Sequence, residues 1–220
     1  MTTWPLGEVF ARTSTVLLDF DGPVCSVFSD FEPVAVAAEL QSRLDVVDAP
    51  PDAGMFDTLR YIAANRPGEI VKAEAILTDL ELRAVQTAEP TPYADAVIRR
   101  LHELGRPVII VSNNSSACVN AYLNHHGLTR FVSGVASRKK PDPALLKPHP
   151  HLLREAMQLT ESRNVESCVM VGDSVSDVEA ARAAGTAAVA YANKPGKRER
   201  FGQLHPDAII DSMSELLDAA

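Results

Sequence analysis

The stretch from residue 15 to residue 23 constrains the fold of this 220-residue chain more than any other. Its apolar run, residues 16–18, is typical of a strand that is buried in a parallel sheet. Asp19 and Asp21 follow directly, and two neighbouring carboxylates at the end of a buried strand are costly unless a cation or hydrogen bonds compensate them. Because ligands of open α/β sheets bind at the carboxyl ends of strands, the pattern indicates either a magnesium site with one nucleophilic carboxylate or a solvated acidic turn.

Composition narrows the functional classes. The net charge of -8 argues against nucleic acid or an anionic membrane as the main partner. No apolar stretch approaches the roughly 18 residues of a membrane span, and the N-terminus lacks the pattern of a signal peptide. The cysteines are three in number and lack metal-ligand spacing, which favours reduced thiols. We therefore expect a cytoplasmic protein.

Beyond residue 92, apolar strand patterns alternate with amphipathic helices, which predicts an α/β fold with a doubly wound parallel sheet. Apolar runs predict strands at 107–111, from 131, at 167–171, 187–191 and 208–210. Between residues 24 and 92 no strand pattern occurs, and helical periodicity covers about 31–44, 55–65 and 70–88. This block is expected to form a small helical unit.

Two polar loops follow predicted strands. Ser112 and Asn113 end the strand at 107–111, where their side chains could form a phosphate cradle at a helix start or could simply cap that helix. Asp173 follows the strand at 167–171 and is predicted to contribute to a magnesium site. Asp177, four residues later, could order a metal-bound water or a lysine, and could also complement the helix dipole.

A lysine could neutralise phosphate and nucleophile together, and two positions offer one. Lys147 precedes Pro148-His149-Pro150, and Lys140 stands in a similar Lys-Pro-x-Pro segment. Each lies in an extended, turn-rich stretch, and either could be an ordinary solvated side chain.

Four motifs occur in one order along the chain: Asp19-Phe-Asp-Gly22, Ser112-Asn113, Lys-Pro and Gly172-Asp-x-x-x-Asp177. In this order they resemble the haloacid dehalogenase-like (HAD) hydrolase superfamily, in particular its phosphoglycolate phosphatase-like branch. The resemblance covers essentially the whole chain. It also favours Lys147, because its 26 residues before Asp173 accommodate the loop, helix and strand that the superfamily has there.

The resemblance implies a role for each motif residue. Asp19 would be the nucleophile that becomes an aspartyl-phosphate, and Asp21 would be the general acid and then the general base. Mg²⁺ would be bound by the carboxylates of Asp19 and Asp173 and by the backbone carbonyl of Asp21. Ser112, Asn113 and Lys147 would bind the transferred phosphoryl group. Asp177 would lie outside the shell of direct ligands and order a metal-bound water or the lysine. Asp21 also makes dehalogenation unexpected, because the dehalogenase branch lacks this carboxylate.

The resemblance further implies a HAD-like core, residues 1–24 and 93–220, with a helical cap at 25–92 inserted into it. The activity expected on this basis is a magnesium-dependent phosphatase that acts on a small phosphorylated metabolite. Two alternatives stay open, a phosphomutase of the same superfamily and a HAD-fold binding module without turnover. The sequence does not decide between a monomer and a homodimer, and it does not identify the substrate.

Overall fold

The computed structural model describes residues 4–29, 33–50, 52–160 and 164–219, and the structural statements below concern these residues. Eight strands occur among them, six in one sheet and two in a separate ribbon. In chain order they are β1 (Thr15–Leu18), β2 (Cys25–Ser26), β3 (Glu89–Pro90), β4 (Val108–Ser115), β5 (Gly134–Arg138), β6 (Cys168–Gly172), β7 (Ala187–Tyr191) and β8 (Ala208–Ile210).

The same residues form ten α-helices and four short 3₁₀ turns. The helices are α1 (Leu6–Arg12), α2 (Pro33–Arg43), α3 (Met55–Asn65), α4 (Ile70–Ala84), α5 (Ala94–Glu103), α6 (Ser116–His125), α7 (His151–Gln158), α8 (Val175–Ala184), α9 (Lys197–Leu204) and α10 (Ser214–Ala219). The 3₁₀ turns are Pro67–Glu69, Thr129–Phe131, Pro143–Leu145 and Val165–Ser167. None of the described helices is long and apolar enough to cross a membrane.

The large sheet has the order β5-β4-β1-β6-β7-β8, and its strand pairs are parallel. β1 lies near its middle, with Leu17 paired to Ile109 on one side and to Met170 on the other. Both faces of β1 are buried, because Val16 and Leu18 join one apolar core and Leu17 joins the core on the opposite face. Helices therefore cover both sides of a parallel sheet. The predicted fold class is confirmed.

The helical insert, which we define as α2, α3 and α4, lies in the chain between β2 and β3. The expectation that no strand occurs between residues 24 and 92 was wrong, because β2 and β3 pair antiparallel at the base of the insert. Each has two residues, too few for a periodic pattern. Apolar side chains of the insert, including Leu59 and Leu77, share one core with the sheet. The division into a core and a cap at 25–92 stays a prediction.

Other differences concern the ends of elements. β4 extends to Ser115 rather than ending at 111, β5 begins at Gly134 rather than 131, and α4 ends at Ala84 rather than 88. The predicted start of the first insert helix, near residue 31, lies outside the described residues. Helices α1 and α9 were not predicted. The sequence of α9 is mostly charged and polar, and Phe201 is its one buried residue, so no apolar periodicity marks this helix.

Candidate active site at the carboxyl ends of the strands

Asp19 and Lys147 form the centre of the candidate site. Asp19 follows β1, and its buried Oδ1 accepts hydrogen bonds from the Phe20 N–H at 2.8 Å and from Lys147 Nζ at 2.7 Å. Lys147 lies between β5 and α7, and its Nζ also donates to the Val111 carbonyl at 3.1 Å. Lys140 is exposed. The structure thus places Lys147, rather than the similar Lys140, beside the first strand.

Asp177 approaches the same lysine from the start of α8. Its Oδ1 lies 2.6 Å from Lys147 Nζ, while its Oδ2 accepts hydrogen bonds from the Ser174 N–H and hydroxyl at 3.0 and 2.6 Å. The Ser174 hydroxyl in turn accepts from the Asp177 N–H, which completes a capping box. Asp177 is therefore part of a helix cap and also contacts the lysine, while its role in ordering the lysine or a metal-bound water stays a prediction.

The neighbouring carboxylates raise the pKa of the lysine, and Asp177 also raises the pKa of Asp19. Burial alone would lower the pKa of Lys147, but the adjacent Asp177 and Asp19 carboxylates raise it above its usual range. The pKa of Asp19 is raised, first by burial and then by Asp177, while Lys147 opposes the shift. Lys147 is thus held as a cation between two buried carboxylates.

Asp173 follows β6 and has its own cationic partner. Lys197 at the start of α9 donates from Nζ to the Asp173 carboxylate at 2.6 Å and to its carbonyl at 2.7 Å. The Asn193 amide also donates to Asp173 Oδ2, at 3.0 Å. Two of these contacts hold Oδ2 of Asp173 and the third holds its backbone carbonyl, which together orient the carboxylate at the strand end.

Two glycines allow this close approach. Gly22 has a φ of 113°, a conformation that favours glycine, and a Cβ at this position would lie 2.6 Å from both carboxylate oxygens of Asp173. A Cβ at Gly172 would overlap the carboxylate of Asp177. The glycines next to Asp21 and Asp173 in the sequence motifs therefore have a steric reason.

Asp21 lies at the turn after β1, where its Oδ1 accepts a hydrogen bond from the Val27 N–H at 2.9 Å. Burial raises the pKa of Asp21 to about 6, although the Val27 hydrogen bond favours the ionised form. A carboxyl group with such a pKa can both give and accept a proton near neutral pH. This is the property that a general acid and base requires.

The donor set fits a hard divalent cation. Carboxylate oxygens of Asp19, Asp173 and Asp177 all lie within 4.8 Å of one another. With Asp21, the site has four carboxylates against the two ammonium groups of Lys147 and Lys197, which gives a formal charge of −2. A divalent cation bound through oxygen would neutralise that charge.

The segment predicted to bind phosphate, residues 112–115, forms the irregularly paired end of β4 and lies beside Lys147; we call it the phosphate loop. The Ser112 hydroxyl donates to Asn114 Oδ1 and accepts from the Asn114 N–H, both at 3.1 Å. The Asn113 amide accepts from the Lys147 N–H at 2.8 Å and donates to the Lys147 carbonyl at 3.2 Å. In this structure both ends of the Asn113 amide therefore hold the backbone of Lys147.

Several contributors to the site were not predicted from the sequence, among them Lys197, Arg60 and Glu81. Lys197 belongs to a charged run that resembles solvated surface, and no local pattern distinguishes it. Arg60 reaches from α3 of the insert to the Lys147 carbonyl at 3.1 Å. Glu81 of α4 contacts the phosphate loop, and its signal was an acid on the apolar face of a helix, four residues after the buried Leu77.

Comparisons with known proteins find a matching family model, related sequences and related structures. The sequence profile of the haloacid dehalogenase-like hydrolases matches residues 13–185 of this chain. The phosphoglycolate phosphatase of Vibrio parahaemolyticus is 31% identical over 132 residues, a match that covers 58% of this chain and 54% of that enzyme. The match to this relative thus spans about half of its length. The pyrophosphatase PpaX of Bacillus cereus is 26% identical over 212 residues, which cover 94% of this chain and 95% of the relative.

A solved structure shows the same fold. A haloacid dehalogenase-like family hydrolase from Streptococcus pneumoniae superposes with a TM-score of 0.71 over 94% of this chain and 98% of that chain. Its sequence identity to this chain is 15%, so this likeness concerns the fold alone.

Proposed function

Because this chain belongs to the haloacid dehalogenase-like hydrolase family, we propose that it is a magnesium-dependent phosphatase of small phosphorylated metabolites. The reaction would pass through a phosphorylated Asp19. The observation that carries this proposal is the environment of Asp19, a buried carboxylate at the end of the central strand whose Oδ1 is held by Lys147 and by the Phe20 N–H. Among the described residues, the hydrogen bonds to this carboxylate reach only Oδ1, which leaves Oδ2 as the attacking oxygen.

In the first step, Asp19 Oδ2 forms a bond to phosphorus while the bond between phosphorus and the leaving alcohol oxygen breaks. Asp21, protonated at its carboxyl group, gives its proton to that oxygen. Its pKa of about 6 leaves a useful fraction protonated near neutral pH. The alcohol then leaves, and the phosphoryl group remains on Asp19.

In the second step, Asp21 as carboxylate takes a proton from water, and the water oxygen attacks phosphorus. The bond between phosphorus and Asp19 breaks, which releases inorganic phosphate and restores the nucleophile. Lys147, held as a cation, offsets negative charge on the phosphoryl oxygens in both steps. Ser112 and the backbone around Asn113 would contact the same oxygens.

Mg²⁺, bound through Asp19, Asp173 and the Asp21 carbonyl, would supply charge neutralisation and orientation of the phosphoryl group. The formal charge of −2 among the four carboxylates and two lysines supports a divalent ion at this place. Asp173 would need its second oxygen for this role, since Oδ2 is engaged by Lys197 and Asn193.

The substrate class rests on the relatives, whose names specify phosphoglycolate and pyrophosphate. We propose that this chain likewise acts on a small phosphate compound with a second anionic group. The test is phosphate release from 2-phosphoglycolate, pyrophosphate, glycerol 2-phosphate and p-nitrophenyl phosphate, with Mg²⁺ or with EDTA. Rapid acid quench followed by mass spectrometry should find a phosphoryl group on the peptide that contains Asp19. Phosphate release with no phosphorylated Asp19 would contradict the covalent route. A sugar phosphate tested beside this panel distinguishes the phosphomutase, which would move the phosphoryl group to a second position of the sugar without releasing phosphate.

A further inference from the structure

A carboxylate of the helical insert is buried against the phosphate loop. Glu81 of α4 has no exposed surface. Its Oε2 accepts a hydrogen bond from the Ser115 N–H at 2.9 Å, and its Oε1 accepts from the Asn114 side chain at 3.3 Å. The insert therefore contacts the backbone of the loop that also carries the predicted phosphate ligands.

Arg138 at the end of β5 completes this contact. Its Nη2 donates to Glu81 Oε1 at 2.6 Å, and its Nε donates to the Asn113 carbonyl at 3.0 Å. Its Nη1 pairs with Glu74, which lies about two turns before Glu81 on the same face of α4. Arg138 is 4% exposed, so the guanidinium is removed from water, and its Nε, Nη1 and Nη2 groups contact α4 and the phosphate loop.

Buried charge pairs add little net stability, because desolvation offsets much of their attraction. Such pairs do, however, require specific distances and directions between donor and acceptor. Here the Glu81 and Arg138 contacts converge on residues 113–115, and the Asn113 amide in turn holds the backbone of Lys147 on both sides. The pair thus reaches the central lysine through a single intermediate residue.

We propose that Glu81 and Arg138 are positioning residues that hold loop 112–115 and Lys147 in the phosphate-binding geometry, so that this geometry forms only when α4 lies on the sheet. The proposal rests on the proposed function, because it assigns the loop to phosphate. Neither residue touches the reacting atoms. Closure of the insert and formation of the phosphate site would then be one event.

The test measures affinity for inorganic phosphate by calorimetry in Mg²⁺ buffer, well below the unfolding temperature of each variant. At pH 8, above the pKa of about 7 of Glu81, Glu81→Gln removes the charge that faces Arg138 but keeps the side-chain size. We expect the Kd for phosphate to rise about tenfold or more, since hydrogen bonds between charged groups are lost, and kcat/KM to fall by a similar factor. Asp79→Asn is the matched control, because Asp79 lies on the same helix in an exposed ion pair with Arg43. It should bind phosphate as the wild type does.

A folded Glu81→Gln protein that binds phosphate within twofold of the wild type would overturn the proposal, as would a lowered melting temperature with unchanged Kd. If Glu81→Gln does not fold, Arg138→Lys decides the matter, because lysine keeps the charge but loses the fork that reaches both Glu81 and Asn113. It should weaken phosphate binding as well. Phosphate binding requires no turnover, so a wild type that hydrolyses none of the esters would refute the proposed function without affecting this comparison.

Discussion

Two networks of charged side chains in this molecule use the same chemistry in opposite surroundings. At the strand ends, Lys147 lies between the carboxylates of Asp19 and Asp177, and its side chain is 3% exposed. On the outer surface of the insert, Arg43 bridges Glu39 of its own helix and Asp79 of α4, and all three side chains are at least 36% exposed. The N···O distances are similar, from 2.6 to 3.1 Å.

The difference lies in what happens when one partner is removed. On the surface, water and salt replace a lost partner, and such pairs typically contribute about 0.2–1 kcal/mol. Around Lys147 and its two carboxylate partners little solvent is available, so a missing partner leaves a buried charge that must be neutralised or exposed. The distances alone would predict equal losses of stability when a partner is removed from either network. Burial predicts a much larger loss at the strand ends than on the surface.

The largest effect is expected for Lys147→Met. Its removal leaves the buried Asp19 and Asp177 carboxylates facing each other, and breaking a buried pair in this way typically costs about 3–5 kcal/mol. Urea unfolding in EDTA should show a loss of free energy of unfolding in that range. Lys140→Met is the matched control and should change stability by less than about 0.5 kcal/mol, because Lys140 is exposed. Equal losses of stability in the two variants would contradict the expectation that burial makes Lys147 the more important lysine.

An effect of intermediate size is expected from the titration of Glu81, which makes the free energy of unfolding depend on pH. Burial raises the pKa of Glu81 from 4.5 to about 7, although hydrogen bonds from Ser115 and Asn114 favour its ionised form. The folded state therefore retains a proton that the unfolded chain releases near pH 4.5. Its contribution to stability falls as the pH rises from about 4.5 to 7, by about 3 kcal/mol at most.

Glu81→Gln removes this titration. Urea unfolding of wild type and Glu81→Gln, measured in EDTA between pH 4.5 and 8, should show a smaller loss of stability with rising pH in the variant. Other buried carboxyl groups titrate in both proteins, so only the difference between the two curves belongs to Glu81. Parallel curves would show that the surroundings of Glu81 do not shift its pKa.

The smallest effect is expected on the surface of the insert. Asp79→Asn removes one carboxylate from the network around Arg43, and Glu39 stays as a partner. The free energy of unfolding should change by less than about 0.5 kcal/mol, and by less still in 0.5 M NaCl, because salt screens exposed charges. A loss of about 2 kcal/mol would mean that this network behaves like the buried one.

Local patterns in the sequence predicted the sheet and several residues at its edge. The buried strands are continuous apolar runs, and their carboxyl ends are marked by Asp19, Ser112 and Asp173. Parallel topology brings such ends to one edge of a sheet, so their proximity follows from the pattern. The roles of these residues in binding and catalysis stay predictions.

The residues that sequence reasoning missed act through contacts between distant segments. Lys197 reaches Asp173 from α9, across 24 residues, and Glu81 meets Arg138 across 57. A charged run and a helix acid occur in most chains on the surface. Only the packing of α9 and α4 against the rest of the fold brings Lys197 to Asp173 and removes Glu81 from water, and no single segment encodes that packing.

The role of Asp19 as the nucleophile is tested by the rate of Mg²⁺-dependent phosphate release, measured for the wild type and for Asp19→Asn. The amide keeps the size of the side chain but is a poor nucleophile, and it weakens the ion pair with Lys147. We predict a fall in kcat of at least about 1,000-fold with the best ester of the panel, while Asp79→Asn keeps the wild-type rate. Release that persists in Asp19→Asn at a rate near that of the wild type would contradict the assignment of Asp19 as the nucleophile.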